Sequence, residues 1–202
     1  GLWLHSILDL TNTFGIAVFW PVSMRRFSFD SVFFVDTVAW ALTAGCYVCE
    51  VAFQWAFTLT CYAALFAGYI VFRLWLHSHV QRNLDCRLAI PSAFYPFHYF
   101  ILEESDDGLR TYIYNALNGN VSRDERYPLV GEKYQALAGK SSVYQDMVRL
   151  TKYLFITDIE ENEGNIVLTL HDLGIRNFGG KFGKTILTFD SAGNLVDEMA
   201  HI

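Results

Sequence analysis

Between Thr37 and Phe72 the chain carries one charged residue, Glu50, and no other feature limits its fold so strongly. As one straight helix this stretch would run about 54 Å at 1.5 Å per residue, against a hydrocarbon core of about 30 Å. The economical reading is two membrane helices, roughly 32–49 and 54–74, turning around Glu50 to Gln54. Trp55 and Trp75 then bracket the second span as interface anchors. The competing reading, two buried helices of a soluble protein, requires partners that cover nearly all of both.

Arginines set the expected orientation. Arg25 and Arg26 precede the first span, Arg73, Arg82 and Arg87 follow the second, and the connection between them has no positive charge. By the positive-inside rule both outer ends face the cytoplasm and the turn faces out. The expected location is the inner (cytoplasmic) membrane, multi-pass, with a cytoplasmic C-terminal domain. Residues 1–96 hold five Lys/Arg and five Asp/Glu, so the formal charge of −6 belongs to the remainder. An acidic soluble part argues against phosphate-led nucleic-acid binding, which needs clustered Lys and Arg. The C-x-x-C of Cys46 and Cys49 lies in apolar sequence without further ligands, and together with Cys61 and Cys86 it reads as small packing residues.

The organisation that follows has four parts. Residues 1–36 form a helix and an interfacial loop, 32–76 the two spans, 77–96 a juxtamembrane connector and 97–202 a cytoplasmic α+β domain. In that domain Phe97–Leu102 and Thr111–Leu117 read as strands around a turn at Glu103–Gly108. Ser141–Leu154 reads as a helix, with Ser142 and Gln145 as a capping box. Phe155–Ile159 with Ile166–Leu170, and Thr185–Phe189 with Leu195–Met199, read as hairpins. The expected fold is a membrane α-helical bundle segment followed by a small antiparallel sheet with one helix on one face.

Two motifs in this domain lead nowhere. The run Gly179–Thr185 resembles a phosphate loop, but only three residues separate Gly179 from Gly183, and a strand rather than a helix follows. His171-Asp172 ends a strand without companion ligands and reads as a turn-stabilising pair. His77-Ser78-His79 lacks a third metal ligand and reads as a polar cluster at the interface.

The chemistry lies at the start of the chain. His5 and Asp9 sit four apart in an apolar helix, so imidazole and carboxylate point the same way. Three readings compete: metal ligands that activate a water, a proton relay, or a structural pair satisfying itself between helices. Gly1-Leu2-Trp3-Leu4 reads like the interior of an apolar helix, so the chain is expected to begin within a larger protein.

The ordered set His5-x-x-x-Asp9, Asn12-Thr13-Phe14-Gly15, Trp20-Pro21-Val22-Ser23-x-Arg25-Arg26 and Phe33-Phe34-Val35-Asp36 resembles the family of membrane-bound metal-dependent hydrolases. Members of that family are described as inner-membrane hydrolases that bind a DNA-damage repressor. The resemblance implies that His5 and Asp9 are ligands of a divalent metal ion such as zinc. It also implies that Asn12, Thr13 and Gly15 form an adjoining turn, and that Pro21, Ser23 and Arg26 shape a substrate mouth. Asp36 would support the ligands from behind or cap the next helix. Arg25 or Arg26 would hold an anionic group, the rival role being to enforce topology. The family's upstream motifs, His-x-x-x-Pro-Asp-x-Asp and His-Arg-x-x-Thr-His-Ser, are absent from this chain.

The implied function is the C-terminal part of an integral membrane hydrolase acting on a phosphoester or related ester by metal-activated water, inactive as it stands. The alternative is a non-catalytic membrane protein whose acidic cytoplasmic domain binds a protein partner. Transport would need more intramembrane charge than Asp9 and Glu50 supply.

Overall fold

A computed structural model describes the chain except for residues 1, 13, 14, 24, 33–35, 55, 56, 87, 107, 152, 163, 174–182 and 202. Thr13, Trp55 and Arg87, and most of the run that resembles a phosphate loop, therefore lie outside the described residues. The chain divides into two units, 1–103 with 111–124, and 104–110 with 125–202.

The first unit begins with α1 (Leu2–Thr11), which carries His5 and Asp9. A short hairpin follows, paired at Ile16 and Phe27. The apolar stretch then forms α2 (Thr37–Phe53) and α3 (Thr58–Leu84). α2 starts where it does because Asp36 has extended backbone and its carboxylate accepts from the amides of Val38 and Ala39, both at 3.0 Å. It stops at Gln54, which takes the left-handed conformation that ends many helices. The reversal needs no glycine because an L residue adopts that conformation here.

α2 packs antiparallel on α3: Asp36 meets Tyr69, and Thr43 meets Tyr62 with 3.1 Å between their hydroxyl oxygens. Thr43 gives its proton to the Ala39 carbonyl, so Tyr62 is the donor of that pair. α2 buries no residue, and α3 up to Phe72 exposes Leu59, Leu65 and Val71. α3 is the one described helix long and apolar enough to cross a membrane, while α2, at 17 residues, is a shorter apolar helix. The expected pair of spans thus resolves into one helix of spanning length and a shorter companion.

Beyond Phe72 the same α3 changes role. Leu76 and Val80 pack into a core with Ala89, Tyr99, Ile101 and Tyr112. These residues come from a four-stranded sheet of β1 (Leu88–Pro91), β2 (His98–Ser105), β3 (Gly108–Asn115) and β4 (Val121–Pro128), in that order. The 77–96 stretch therefore contains the end of a helix and a strand as well as a connection. β4 is an edge strand built from Arg123, Asp124, Glu125 and Arg126 and ending at Pro128, residues that discourage pairing with another chain.

The second unit contains α4 (Glu132–Ala138), α5 (Ser142–Leu150) and an antiparallel meander of β5 (Leu154–Asn162), β6 (Asn165–Asp172), β7 (Lys184–Asp190) and β8 (Leu195–His201). Strand alternation puts Leu168, Leu170, Leu187 and Phe189 on one face, where Leu137 and Ala138 of α4 cover them. α5 is capped by Ser141, one residue before the expected Ser142, with its hydroxyl accepting from the Tyr144 amide at 3.0 Å. Gln145 does not complete a capping box, since its amide donates to the Gly139 carbonyl.

Two features of the expected fold need correction. Among the described residues no multi-helix bundle is formed; α2 and α3 are a helical pair. Among the described residues, the stretch from Leu88 onward holds two four-stranded sheets and two short helices, where one small sheet with one helix was expected. The missing pieces, β1, β4 and α4, are too short or too charged to produce an apolar period.

Candidate functional site

His5 and Asp9 are brought together as their spacing predicts, with His5 Nε2 3.3 Å from Asp9 Oδ2. The pair is open to its surroundings, His5 being 75% and Asp9 36% exposed. Imidazole and carboxylate are thus closed on each other at the surface of α1. Two donors match one edge of a metal site; a catalytic zinc takes three protein ligands. Among the described residues no three His, Cys, Asp or Glu side chains lie close enough to hold a metal ion.

The remaining residues of the N-terminal motif are dispersed. Asn12 follows α1, its amide bonded to the Asp9 carbonyl at 3.2 Å, and its backbone bridges to Val32. Pro21 and Ser23 lie on the hairpin, and the Ser23 hydroxyl accepts from the Arg25 amide at 3.2 Å. Arg25 is exposed and sits over the Phe27 ring, 5.4 Å from its centre, while Arg26 is half-buried.

Asp36 belongs to a different constellation, and this one is buried. Besides capping α2, its carboxylate receives the Tyr69 hydroxyl at 2.7 Å from each oxygen and faces the Arg73 guanidinium, with Nη2 3.8 Å from Oδ2. Arg73 is fully buried. Its Nη1 donates to the Pro96 carbonyl, and its guanidinium lies 5.8 Å from the centre of the Tyr99 ring. His77, also buried, has its ring centre 6.3 Å from that of Tyr99. Tyr69, Arg73 and His77 are four apart and so form one stripe on α3.

Among the described residues, several polar atoms of this cluster have no hydrogen-bond partner: Arg73 Nε and Nη2, His77 Nδ1 and the Tyr99 hydroxyl. Burial pushes the Tyr99 phenol up to about 12; Arg73 pulls it back and Asp36 adds to the rise. The phenol therefore stays protonated at neutral pH. The cluster ties the start of α2, the middle of α3, the loop after β1 and the start of β2 to one buried ion pair. Its evident chemistry is positional, since a buried charge pair fixes the geometry of the elements that carry it.

The sequence pattern alone assigned Arg73 to topology and grouped His77 with His79. In the structure His79 is exposed and stacks on Trp75 at 5.5 Å. The signal that could have separated the two histidines is the Tyr69-x-x-x-Arg73-x-x-x-His77 spacing inside an apolar helix. His171, expected to stabilise a turn, lies within β6, its Nδ1 2.7 Å from the Thr157 hydroxyl.

In the second unit a shallow surface pocket of about 230 Å³ is lined by Lys133, Glu161, Asn165 and Ser191 among others. Glu161 accepts from Lys133 at 3.0 Å and from Tyr134 at 2.9 Å, so its charged groups already satisfy one another.

α3 thus exposes apolar side chains along its first half, packs on a sheet along the other, and is long and apolar enough to cross a membrane. Residues 1–80 match the model of a family described as YdjM inner membrane protein. The match ends within α3, leaving both sheets outside it. No curated protein and no solved structure matches the chain.

Proposed function

We propose that this chain is an inner-membrane protein anchored by the α2–α3 hairpin, which crosses the bilayer twice and holds the α+β part on the cytoplasmic face. The observation that carries this reading is the uncovered apolar surface of α2 and of α3 up to Phe72. In water that surface would be an aggregation site; in lipid it is the ordinary outer face of a span. α2 would cover about 26 Å at 1.5 Å per residue, close to a hydrocarbon core of about 30 Å. Arg25, Arg26, Arg73 and Arg82 support an arrangement with both outer ends inside, by the positive-inside rule.

The test is the topology of the full chain in cells. A fluorescent protein fused after Ile202 should fluoresce, and a cysteine at Gln54 should react with an impermeant maleimide from outside. A silent fusion together with a Gln54→Cys variant labelled only after lysis would sink the arrangement.

The His5–Asp9 contact supports a second reading, that α1 lends two ligands to a metal-dependent hydrolase site completed by donors outside the described residues. With a divalent metal bound, such a site would supply activated water for ester hydrolysis. Measured metal content decides it: zinc retained by the protein and lost in His5→Ala and Asp9→Ala supports the reading. Metal content unchanged by both substitutions, with function lost on deletions after Phe97, supports the non-catalytic alternative in which the acidic part binds a protein partner.

A further inference from the structure

The hairpin between Gly15 and Phe27 is a built element whose tip is apolar and uncovered. Its base is paired in both directions, Ile16 to Phe27 at 3.0 Å and Phe27 to Ile16 at 2.9 Å. Two further backbone bonds shape the tip, from the Trp20 amide to the Ala17 carbonyl at 3.1 Å and from the Ser23 amide to the Phe19 carbonyl at 3.0 Å. Gly15 has φ +60, and a Cβ there would fall on the Phe27 carbonyl oxygen, so the entry is shaped for glycine. Phe19 meets Phe27 edge to face at 5.6 Å, and Arg25 covers the same ring. On this frame Val18, Phe19 and Trp20 are exposed, and Val22 is 93% exposed.

Apolar tips of this kind are costly in water and need an occupant. Three observations identify it. Residues 10–29 carry Arg25 and Arg26 and no carboxylate, so the occupant is anionic. A tryptophan beside phenylalanine and valine is the composition that settles at the headgroup level of a bilayer. Asp36, nine residues past Phe27, contacts Tyr69 and Arg73, so the hairpin is joined by a short stretch to the 69–73 level of α3. There α3 passes from its exposed apolar half to its sheet-packed half, and Trp75 stands exposed.

We propose that the Ile16–Phe27 hairpin is a membrane-docking loop: Val18, Phe19, Trp20 and Val22 enter the interface of an anionic bilayer, and Arg25 and Arg26 engage lipid phosphates. It rests on the membrane reading of α2 and α3 and adds a third, monotopic contact with lipid-charge selectivity. Each arginine near an anionic surface strengthens binding about 5.4-fold, so the pair contributes about thirtyfold to the inserted population.

The test uses the full chain with Cys46, Cys49, Cys61 and Cys86 replaced, in vesicles of neutral phosphatidylcholine with or without phosphatidylglycerol. Single cysteines at Val22, Val18, Leu65 and Val196 carry an environment-sensitive fluorophore, and lipids brominated along the acyl chain report contact. Leu65→Cys should be quenched by deep bromines, and Val22→Cys and Val18→Cys by shallow ones in anionic vesicles, while Val196→Cys stays accessible to aqueous iodide. Arg25→Gln with Arg26→Gln should lower the inserted-to-free ratio at Val22 about thirtyfold, and Arg25→Lys with Arg26→Lys should preserve it. A quenched Leu65 label with a Val22 label open to iodide overturns the docking loop and leaves the spans standing. A Val22 label shielded from both quenchers also overturns it, since protein then covers the tip. An unquenched Leu65 label overturns the membrane reading and the loop together.

Discussion

Substituting Asp36→Asn isolates the charge of the buried cluster from its hydrogen bonding. Asparagine keeps a side-chain oxygen for the amides of Val38 and Ala39, and it caps helices about as well as aspartate. What disappears is the negative charge facing Arg73, which has no exposure to water and, among the described residues, two nitrogens without hydrogen-bond partners. At 3.8 Å and an effective dielectric of 20, unit charges attract by about 4 kcal/mol. Removing one member of a buried pair costs about 3–5 kcal/mol, which agrees with that figure. Asp36→Ala should lose about 1 kcal/mol more, because the cap goes as well. Arg73→Met removes the other charge, and the double variant Asp36→Asn with Arg73→Met should recover most of the loss, leaving a coupling of about 3 kcal/mol. The assay is chemical unfolding of the detergent-solubilised full chain followed by circular dichroism. An Asp36→Asn loss below about 1 kcal/mol, or additive single and double variants, would refute the assignment of Asp36 and Arg73 as a stabilising buried pair.

The same unit has an alkaline limit. Tyr99 ionises near 12 in the fold against 10.0 ordinarily, so its contribution is complete below pH 10 and fades as pH rises toward 12. Tyr99→Phe should remove that component of alkaline unfolding, measured by circular dichroism between pH 9 and 12. Gly15→Ala should destabilise the hairpin by about 1–2 kcal/mol, the cost of a left-handed L residue, besides the collision with Phe27. Limited proteolysis between Gly15 and Phe27 should accelerate accordingly, and an unchanged cleavage rate would count against the paired base. Ser141→Ala removes the cap of α5 and the 2.7 Å bond from the Ser141 hydroxyl to Glu198. It should cost about 1 kcal/mol, read as faster amide exchange in the first turn of α5.

What could be read from the sequence is what repeats locally. The charge gap and the length limit gave α2 and α3, and apolar runs flanking turn residues gave β6 and β7, where Leu168, Leu170, Leu187 and Phe189 share one core. The turn after α2 was legible only approximately, because its left-handed residue is Gln54 and glutamine carries no turn signature. β4 was not legible at all: an edge strand can be held by backbone bonds while its side chains are charged, and only the neighbouring strand shows that it pairs.

The buried cluster lies at the far end of this scale. His5 and Asp9 were found because both sit on one helix, where spacing determines proximity. Asp36 and Arg73 are thirty-seven residues apart in the chain, and what makes them a site is neither residue alone. The Pro96 carbonyl and the Tyr99 ring close over Arg73 from the loop after β1 and from β2, turning an arginine that a charge rule reads as solvated into a buried one. Local patterning treats a charge beside a span as a marker of orientation. The fold here uses the same charge twice, to mark the cytoplasmic end of α3 in the proposed topology and to pin α2 and β2 to it. An arginine with both duties predicts a particular failure: Arg73→Lys keeps the positive charge and so the orientation, but loses the planar fork that reaches Pro96 and lies over Tyr99. Topology reporters should read as in the native chain while unfolding stability falls by about 1–3 kcal/mol, the range for a lost hydrogen bond to a charged group. If the two readouts moved together instead, Arg73 would have one role and the cluster would be incidental to it.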